Sequence, residues 1–282
     1  MAVTAADVKA LREKTGAGPA ECKNALTETN GDFEAAVKLL KEKGLAAAEK
    51  RADRATNQGR IAVKTAEDAA ALVELVTETD FVARNPEFIA LADEIAQTVL
   101  DKRIKEPTGE LNDMVKALAT KIRENMSLKR IKLLEAGEGV ILGSYIHGEG
   151  AIGVAAALGS DKPEALKTKE AQDLVFSLAM HAAAFNPQAL SKADIKPEII
   201  KEQEEIFRKQ MEKDEKLKDK PANVLDGILK GKMNKYLADL SFVDQAYLKN
   251  EKITVAKALE EAGKAAGAKF EIKDYVYFKA GC

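Results

Sequence analysis

Residues 59–99 read GRIAVKTAEDAAALVELVTETDFVARNPEFIALADEIAQTV, and a change of period inside this stretch decides the fold class. Ile61 and Val63 alternate with Arg60, Ala62 and Lys64, and Val73, Leu75 and Thr77 alternate with Glu74, Val76 and Glu78. A period of two is the mark of a strand. The polar turn from Ala66 to Asp68 joins the two runs as an antiparallel hairpin. From Asn85-Pro86 the period becomes helical: Pro86 suits the first helical position, and Phe88, Leu91, Ala92, Ile95 and Val99 line one face. Adjacent strands followed by a helix point to an α+β fold rather than a doubly wound parallel sheet, in which strands and helices alternate.

The same signals continue downstream. After Pro107 and Gly109, a helix is marked by Leu111, Met114, Val115, Leu118 and Ile122. Ile131 and Leu133 then alternate with lysines and an arginine, and Val140 to His147 is joined to Ala151 to Leu158 by Gly148-Glu149-Gly150. These strands predict a second antiparallel meander. Residues 168–184 predict a helix through Leu174, Val175, Leu178 and His181, broken at Asn186-Pro187. Residues 197–237 are the most polar helical stretch. Ile200, Phe207 and Met211 form a thin seam on one arm, and Leu225, Ile228, Leu229 and Tyr236 a fuller one on the other. With Lys220-Pro221 between the arms, this is a projecting helical hairpin, a short coiled coil. Val255, Ala258, Leu259 and Ala262 mark a last helix, and Phe270 to Phe278 a last strand.

Upstream, the first 45 residues predict three short helices sharing a very small core, a compact module able to move against the rest. Thr4 and Asp7 form a capping box for the first helix, which Gly16 and Gly18 stop. Pro19 opens the second, with Cys22, Ala25 and Leu26 inside. Asp32 caps the third, with Phe33, Ala36, Val37 and Leu40 on one face, and Gly44 is expected to end it. The expected organisation is a three-helix module over 1–45, a charged linker over 46–58, a core subdomain over 59–139, and a second over 140–282 carrying the hairpin insertion at about 190–237.

Composition narrows the function. The 282 residues carry 44 Lys+Arg against 46 Asp+Glu, a formal net charge of -2. A protein held to nucleic acid usually shows a basic excess, because phosphate neutralisation supplies most of that affinity; direct nucleic-acid binding is therefore not expected. No apolar run is long enough to span a bilayer, and the opening Thr4, Asp7 and Lys9 do not form a signal peptide. Cys22 and Cys282 stand at opposite ends, without metal or redox spacing, so a cytoplasmic protein without structural disulfides is expected.

Catalytic patterns are missing. The sequence has no phosphate loop, no Gly-x-Gly-x-x-Gly after a strand and no Gly-x-Ser-x-Gly elbow. Its two histidines, His147 and His181, exclude a His-rich metal site. A cysteine nucleophile would need a histidine brought beside it by folding. The chain is not expected to be an enzyme, and no metal or cofactor is implied.

Two segments resist a purely structural reading. One is Leu11-Arg12-Glu13-Lys14-Thr15-Gly16-Ala17-Gly18-Pro19-Ala20-Glu21-Cys22-Lys23-Asn24-Ala25-Leu26, and the other is Glu78-Thr79-Asp80-Phe81-Val82-Ala83-Arg84-Asn85. Together they resemble the two sequence signatures of the elongation factor Ts family. Further echoes follow in order along the chain: Gly143-Ser144-Tyr145-Ile146-His147-Gly148, Ala179-Met180-His181-Ala182-Ala183, Gln245-Ala246-Tyr247 and Phe278-Lys279-Ala280-Gly281. Two departures stand out. The family often has methionines where Pro19 and Ala20 stand, and Asn-Cys-Gln where Val76-Thr77-Glu78 stand.

The resemblance implies a ubiquitin-associated-like (UBA-like) N-terminal module, a two-part core and a hairpin insertion. It also implies a guanine nucleotide exchange factor for elongation factor Tu in translation elongation, meeting that partner in its GDP-bound and nucleotide-free forms. In this reading Thr79, Asp80, Phe81 and Val82 dislocate the partner's Mg2+, with Phe81 as an exposed wedge. Arg12, Pro19, Ala20 and His147 contact the partner. For Arg12 a solvated helix charge and for His147 a turn histidine are the plain alternatives, while His181, which shares a face with Leu174 and Leu178, is read as a satisfied packed histidine. The hairpin is compatible with homodimerisation, with partner contact or with a solvated spacer. Three other functions remain open at the level of sequence: a UBA-like scaffold without exchange activity, an enzyme with an unrecognised acid pair in a deep pocket, and a nucleic-acid binder with a hidden basic face.

Overall fold

The computed structural model describes residues 3–218 and 220–282, the side chains at 45, 48 and 49 excepted. Helix α1 (Ala5–Thr15) starts from a reciprocal cap: the Asp7 N–H donates to the Thr4 hydroxyl, and the Thr4 N–H donates to the Asp7 carboxylate. Gly16 closes it in the left-handed conformation. Helix α2 (Pro19–Glu28) begins on its proline, and α3 (Phe33–Glu49) begins on Asp32, whose carboxylate accepts the Ala35 N–H. Leu11, Cys22, Ala25, Leu26, Ala36 and Leu40 bury into one small core.

The first sheet is built from β1 (Gln58–Thr65), β2 (Ala69–Thr77) and, after three helices, β3 (Met126–Glu135). It is antiparallel with β2 in the centre. Between β2 and β3 run α4 (Asp80–Ala83), α5 (Pro86–Lys102) and α6 (Gly109–Ile122). The stripe Phe88, Leu91, Ile95 and Val99 of α5, with Leu111 and Val115 of α6, packs on Ala71, Val73 and Leu75 of β2.

The second sheet has the order β4 (Val140–His147), β5 (Ile152–Ser160), β8 (Phe270–Lys279), again antiparallel. Between β5 and β8 come α7 (Lys169–Phe185), the hairpin arms α8 (Pro197–Lys213) and α9 (Ala222–Leu240), the small ladder β6 (Ala246–Tyr247) with β7 (Asn250–Thr254), and α10 (Val255–Ala265). Helices α7 and α10 cover the outer face. The hairpin arms share a thin core of Met211, Leu229 and Met233. No helix of the described residues is long and apolar enough to cross a membrane.

The two sheets face each other. Ile61, Ala70, Leu72 and Leu134 of the first meet Ala155, Ala157, Val276 and Phe278 of the second. Strand β2 is therefore buried on both faces along its whole length, which accounts for its nearly unbroken apolar run. One charge lies inside. Glu74 is fully buried; it accepts from Arg130 Nε at 2.5 Å and from the Gly281 N–H at 3.0 Å, and so ties the end of the chain to the first sheet.

The fold is α+β, as expected, but three elements differ from the sequence reading. Helix α3 does not stop at Gly44 but continues to Glu49. A Cβ at Gly44 would come within 2.2 Å of Thr120 Cγ2, so this glycine is the point where α3 lies close on α6. Strand β3 does not join β4 and β5 in a meander; it pairs with β2, and β8 completes the second sheet. Between β2 and α5 stands a one-turn helix, α4 (Asp80–Ala83) capped by Thr79, which the sequence reading does not include.

Candidate partner-binding site

Helix α4 decides which way each residue of Thr79-Asp80-Phe81-Val82 points. The Thr79 hydroxyl accepts the Val82 N–H at 3.3 Å and caps the turn. Val82 then drops into the core with Phe88 and Leu91, while Phe81 stands 84% exposed. Asp80 is exposed too, with Arg84 Nη2 4.0 Å from its carboxylate. Burying a phenylalanine is worth about 1.5–3 kcal/mol, and this ring has been left without it. A lone apolar side chain in water is commonplace. Phe81 is unusual because its mounting is rigid.

That mounting comes from residues 123–125, just beyond α6. The Glu124 carboxylate accepts from the Thr77 hydroxyl at 2.8 Å, from the Thr79 N–H at 3.1 Å and from the Thr79 hydroxyl at 2.7 Å. In return, the Asn125 N–H donates to Glu78 at 2.6 Å. The Asn125 side chain donates to the carbonyls of Ala52 at 3.0 Å and Arg54 at 2.7 Å, and the Arg123 guanidinium pairs with Glu21 of α2. Three consecutive residues thus hold the exposed turn, the segment after α3 and the N-terminal module. Sequence reasoning missed Glu124 entirely. It is 45 residues from Thr79, and nothing local separates it from the many surface glutamates.

The remaining expected contact residues are all exposed. Arg12 lies on α1, and Pro19 and Ala20 open α2 beside Glu21. His147 ends β4, with the Tyr145 hydroxyl 3.3 Å from its Nδ1. It lies at the same end of β1 as the Phe81 turn: Gln58 pairs with Thr77, and the Arg60 guanidinium donates to the Glu149 carbonyl just after His147. His181 is a different kind of residue. It is fully buried, stacked on Phe242 at 5.4 Å between ring centroids. Its Nδ1 accepts the Leu248 N–H at 3.2 Å, so the proton sits on Nε2 and is donated to Gln245 Oε1 at 2.9 Å. Burial holds its pKa below the ordinary histidine value, against the opposing Gln245 bond.

The reading as an enzyme with an acid pair in a deep pocket finds little support. A cleft of about 730 Å³ opens between the N-terminal module and α6, and the charged residues in its lining are mainly cations. Most of these are already paired: Lys14 with Glu34, Lys43 with Glu28, Lys116 with Asp113, Lys121 with Glu87 and Arg123 with Glu21. It is not a deep pocket of carboxylates. Asp7, Glu21, Asp68, Asp173 and Glu260 are held below the ordinary carboxylate range, chiefly by hydrogen bonds from Thr4, the Gly18 N–H, Arg103, Lys169 and Lys264 respectively. A general acid would need the opposite shift. Among the described residues, no group of three His, Cys, Asp or Glu side chains is placed to hold a metal ion.

Comparison with known proteins agrees with the sequence signatures. The sequence model of the family described as Elongation factor TS matches residues 78–282. The chain is 47% identical to elongation factor Ts of Treponema denticola over 281 residues, covering 100% of this chain and 99% of that protein. It is 42% identical over 292 residues to the same factor of Treponema pallidum strain Nichols, covering 100% of this chain and 99% of that one. With elongation factor Ts of Borrelia hermsii it shares 37% identity over 283 residues, the whole of both chains. The chain belongs to the elongation factor Ts family, a family of translation elongation.

Proposed function

We propose that this chain is a guanine nucleotide exchange factor: it binds elongation factor Tu carrying GDP, dislocates the partner's Mg2+ and lets GDP leave so that GTP can bind. The observation that carries the reading is Phe81, 84% exposed on a capped turn whose polar groups are tied down. A rigidly held ring enters a partner without first losing freedom of its own, so its insertion energy goes into displacing the partner's elements. Thr79 and Val82 hold the turn in place, while the exposed Asp80, beside Arg84, faces solvent where it meets basic groups of the partner. With the metal's ligands moved apart, the phosphate charge of GDP is less compensated and the nucleotide leaves faster. Arg12, Pro19, Ala20 and His147 supply further contact around this turn.

No covalent bond is made or broken. The coupling is reciprocal: whatever factor this protein takes from nucleotide affinity, nucleotide takes from the affinity of this protein, so GTP expels it from the nucleotide-free complex. The site of action is the cytoplasm. Ile199 and Ile206 of α8 and Val224 of α9 stand exposed on the hairpin, where a second copy of this chain would cover them.

The test is a chase of fluorescent GDP from elongation factor Tu by excess unlabelled GDP. Wild type at substoichiometric amounts should accelerate release, and Phe81→Ala should lose most of the acceleration while unfolding within about 0.5 kcal/mol of wild type, as an exposed substitution does. Equal activity of the variant would remove Phe81 from the mechanism. Failure of wild type to accelerate release would leave the UBA-like scaffold reading in its place.

A further inference from the structure

Residues 77–79 and 123–125 grip each other reciprocally: the Glu124 carboxylate takes the Thr79 N–H, and the Glu78 carboxylate takes the Asn125 N–H. We infer that Glu124 is a positioning residue for nucleotide exchange, fixing the cap of α4 and through it the direction of Phe81. This rests on the exchange reading proposed above.

The argument starts from a single hydrogen atom. The Thr79 hydroxyl has one, and it is donated to Glu124 Oε1 at 2.7 Å. That leaves the oxygen's lone pairs facing the Val82 N–H, which donates to it at 3.3 Å. The bonds to Glu124 are charge-assisted and stronger than neutral ones. A helix of four residues cannot sustain itself, because forming the first turn fixes several dihedrals for one hydrogen bond. Helix α4 therefore depends on its cap and on the burial of Val82. Without Glu124, the Thr79 hydroxyl is free to rotate, the Thr79 N–H loses its acceptor, and the fully buried Thr77 hydroxyl loses its own. Val82 still anchors one side of the turn. Phe81, however, then samples several directions and must be ordered at the moment of insertion.

This cost falls on the step in which the ring displaces the partner's elements. The exposed residues of α1 and α2 and His147 do not depend on Glu124, so docking is spared. Loss of Glu124 should therefore lower the maximal rate of GDP release more than it raises the half-saturating concentration.

The experiment titrates wild type, Glu124→Gln and Glu124→Ala against elongation factor Tu loaded with fluorescent GDP. Amide hydrogen exchange at Val82 is measured in parallel on each free protein. Glu124→Ala should lower the maximal release rate about tenfold, the order expected when the ring must be immobilised during insertion. Its half-saturating concentration should stay within about threefold of wild type, and its Val82 amide should exchange about tenfold faster. Glu124→Gln keeps one acceptor oxygen for the Thr79 hydroxyl and should fall between the two. A full maximal rate in Glu124→Ala, or an unchanged Val82 amide, overturns the inference. So does a loss spread equally over rate, half-saturation and thermal midpoint, which would make Glu124 merely structural. If wild type itself releases no GDP, the exchange reading falls and takes this one with it. If wild type is active and Glu124→Ala equals it, only the inference falls.

Discussion

The His181 ring is sealed between Phe242, Gln245 and the Leu248 N–H in its neutral form, and this makes its charge state a stability term. Its folded pKa lies below the unfolded value of about 6.5. Above that pH the ring is neutral in both states, and the burial is free of any protonation cost. As pH falls, the unfolded chain takes up the proton first. The stability present above about pH 6.5 is then lost down to the lower folded pKa. The urea midpoint of wild type should drop between about pH 7 and pH 5, and His181→Gln should show a smaller drop. Equal slopes would mean that the ring titrates normally. At this scale the sequence was informative about identity and poor about direction. The packed-core reading of His181 fits the structure, because Leu174 and Leu178 share its helix face. The motif Thr79 to Val82 has no period long enough to tell Phe81, which points out, from Val82, which points in. Glu124 was illegible because its three partners become neighbours only through folding.

Between elements, glycine marks how closely they approach. A Cβ on Gly143 of β4 would stand 2.8 Å from the Val175 carbonyl carbon and 3.0 Å from the Phe176 nitrogen, backbone atoms of α7 that cannot rotate away. Gly143→Ala should therefore push the helix off the strand and destabilise the protein by about 1–3 kcal/mol, the usual cost of overpacking. Urea unfolding measures it, and an unchanged midpoint would place α7 farther from β4. In sequence this glycine looked like part of a motif, with no hint of a helix on top of it. Gly44 misled in the opposite sense. A glycine near the end of a helical pattern is usually a stop, yet here it admits Thr120 of α6 and the helix runs on. Long helices and the β1–β2 hairpin were legible because their periods are sustained and their turns local. The pairing of β3 was not. Proximity in sequence favours β4, whereas β3 pairs with the edge of β2 that β1 leaves open and satisfies its backbone hydrogen bonds.

The whole molecule turns on the shared interior of the two sheets. Taken as separate units, residues 59–139 and 140–282 would each expose an apolar sheet face. The first would bare Ile61, Ala70, Leu72 and Leu134, and the second Ala155, Ala157, Val276 and Phe278. At about 25 cal/mol per Å² of apolar surface, leaving either face in water forfeits several kcal/mol, a large share of a domain's net stability. The chain's own end reinforces the union. Glu74 in β2 holds both Arg130 of β3 and the Gly281 N–H after β8, so a carboxylate buried by the union of the sheets takes donors from both of them. The two halves should thus unfold together, however separate they look along the sequence. Calorimetry of residues 55–282 should give one transition, with a calorimetric enthalpy equal to the van't Hoff value. Neither half expressed alone should show a cooperative melt. Two resolved transitions would mean that each sheet with its helices is stable without the other, and that the inner apolar faces serve docking rather than folding.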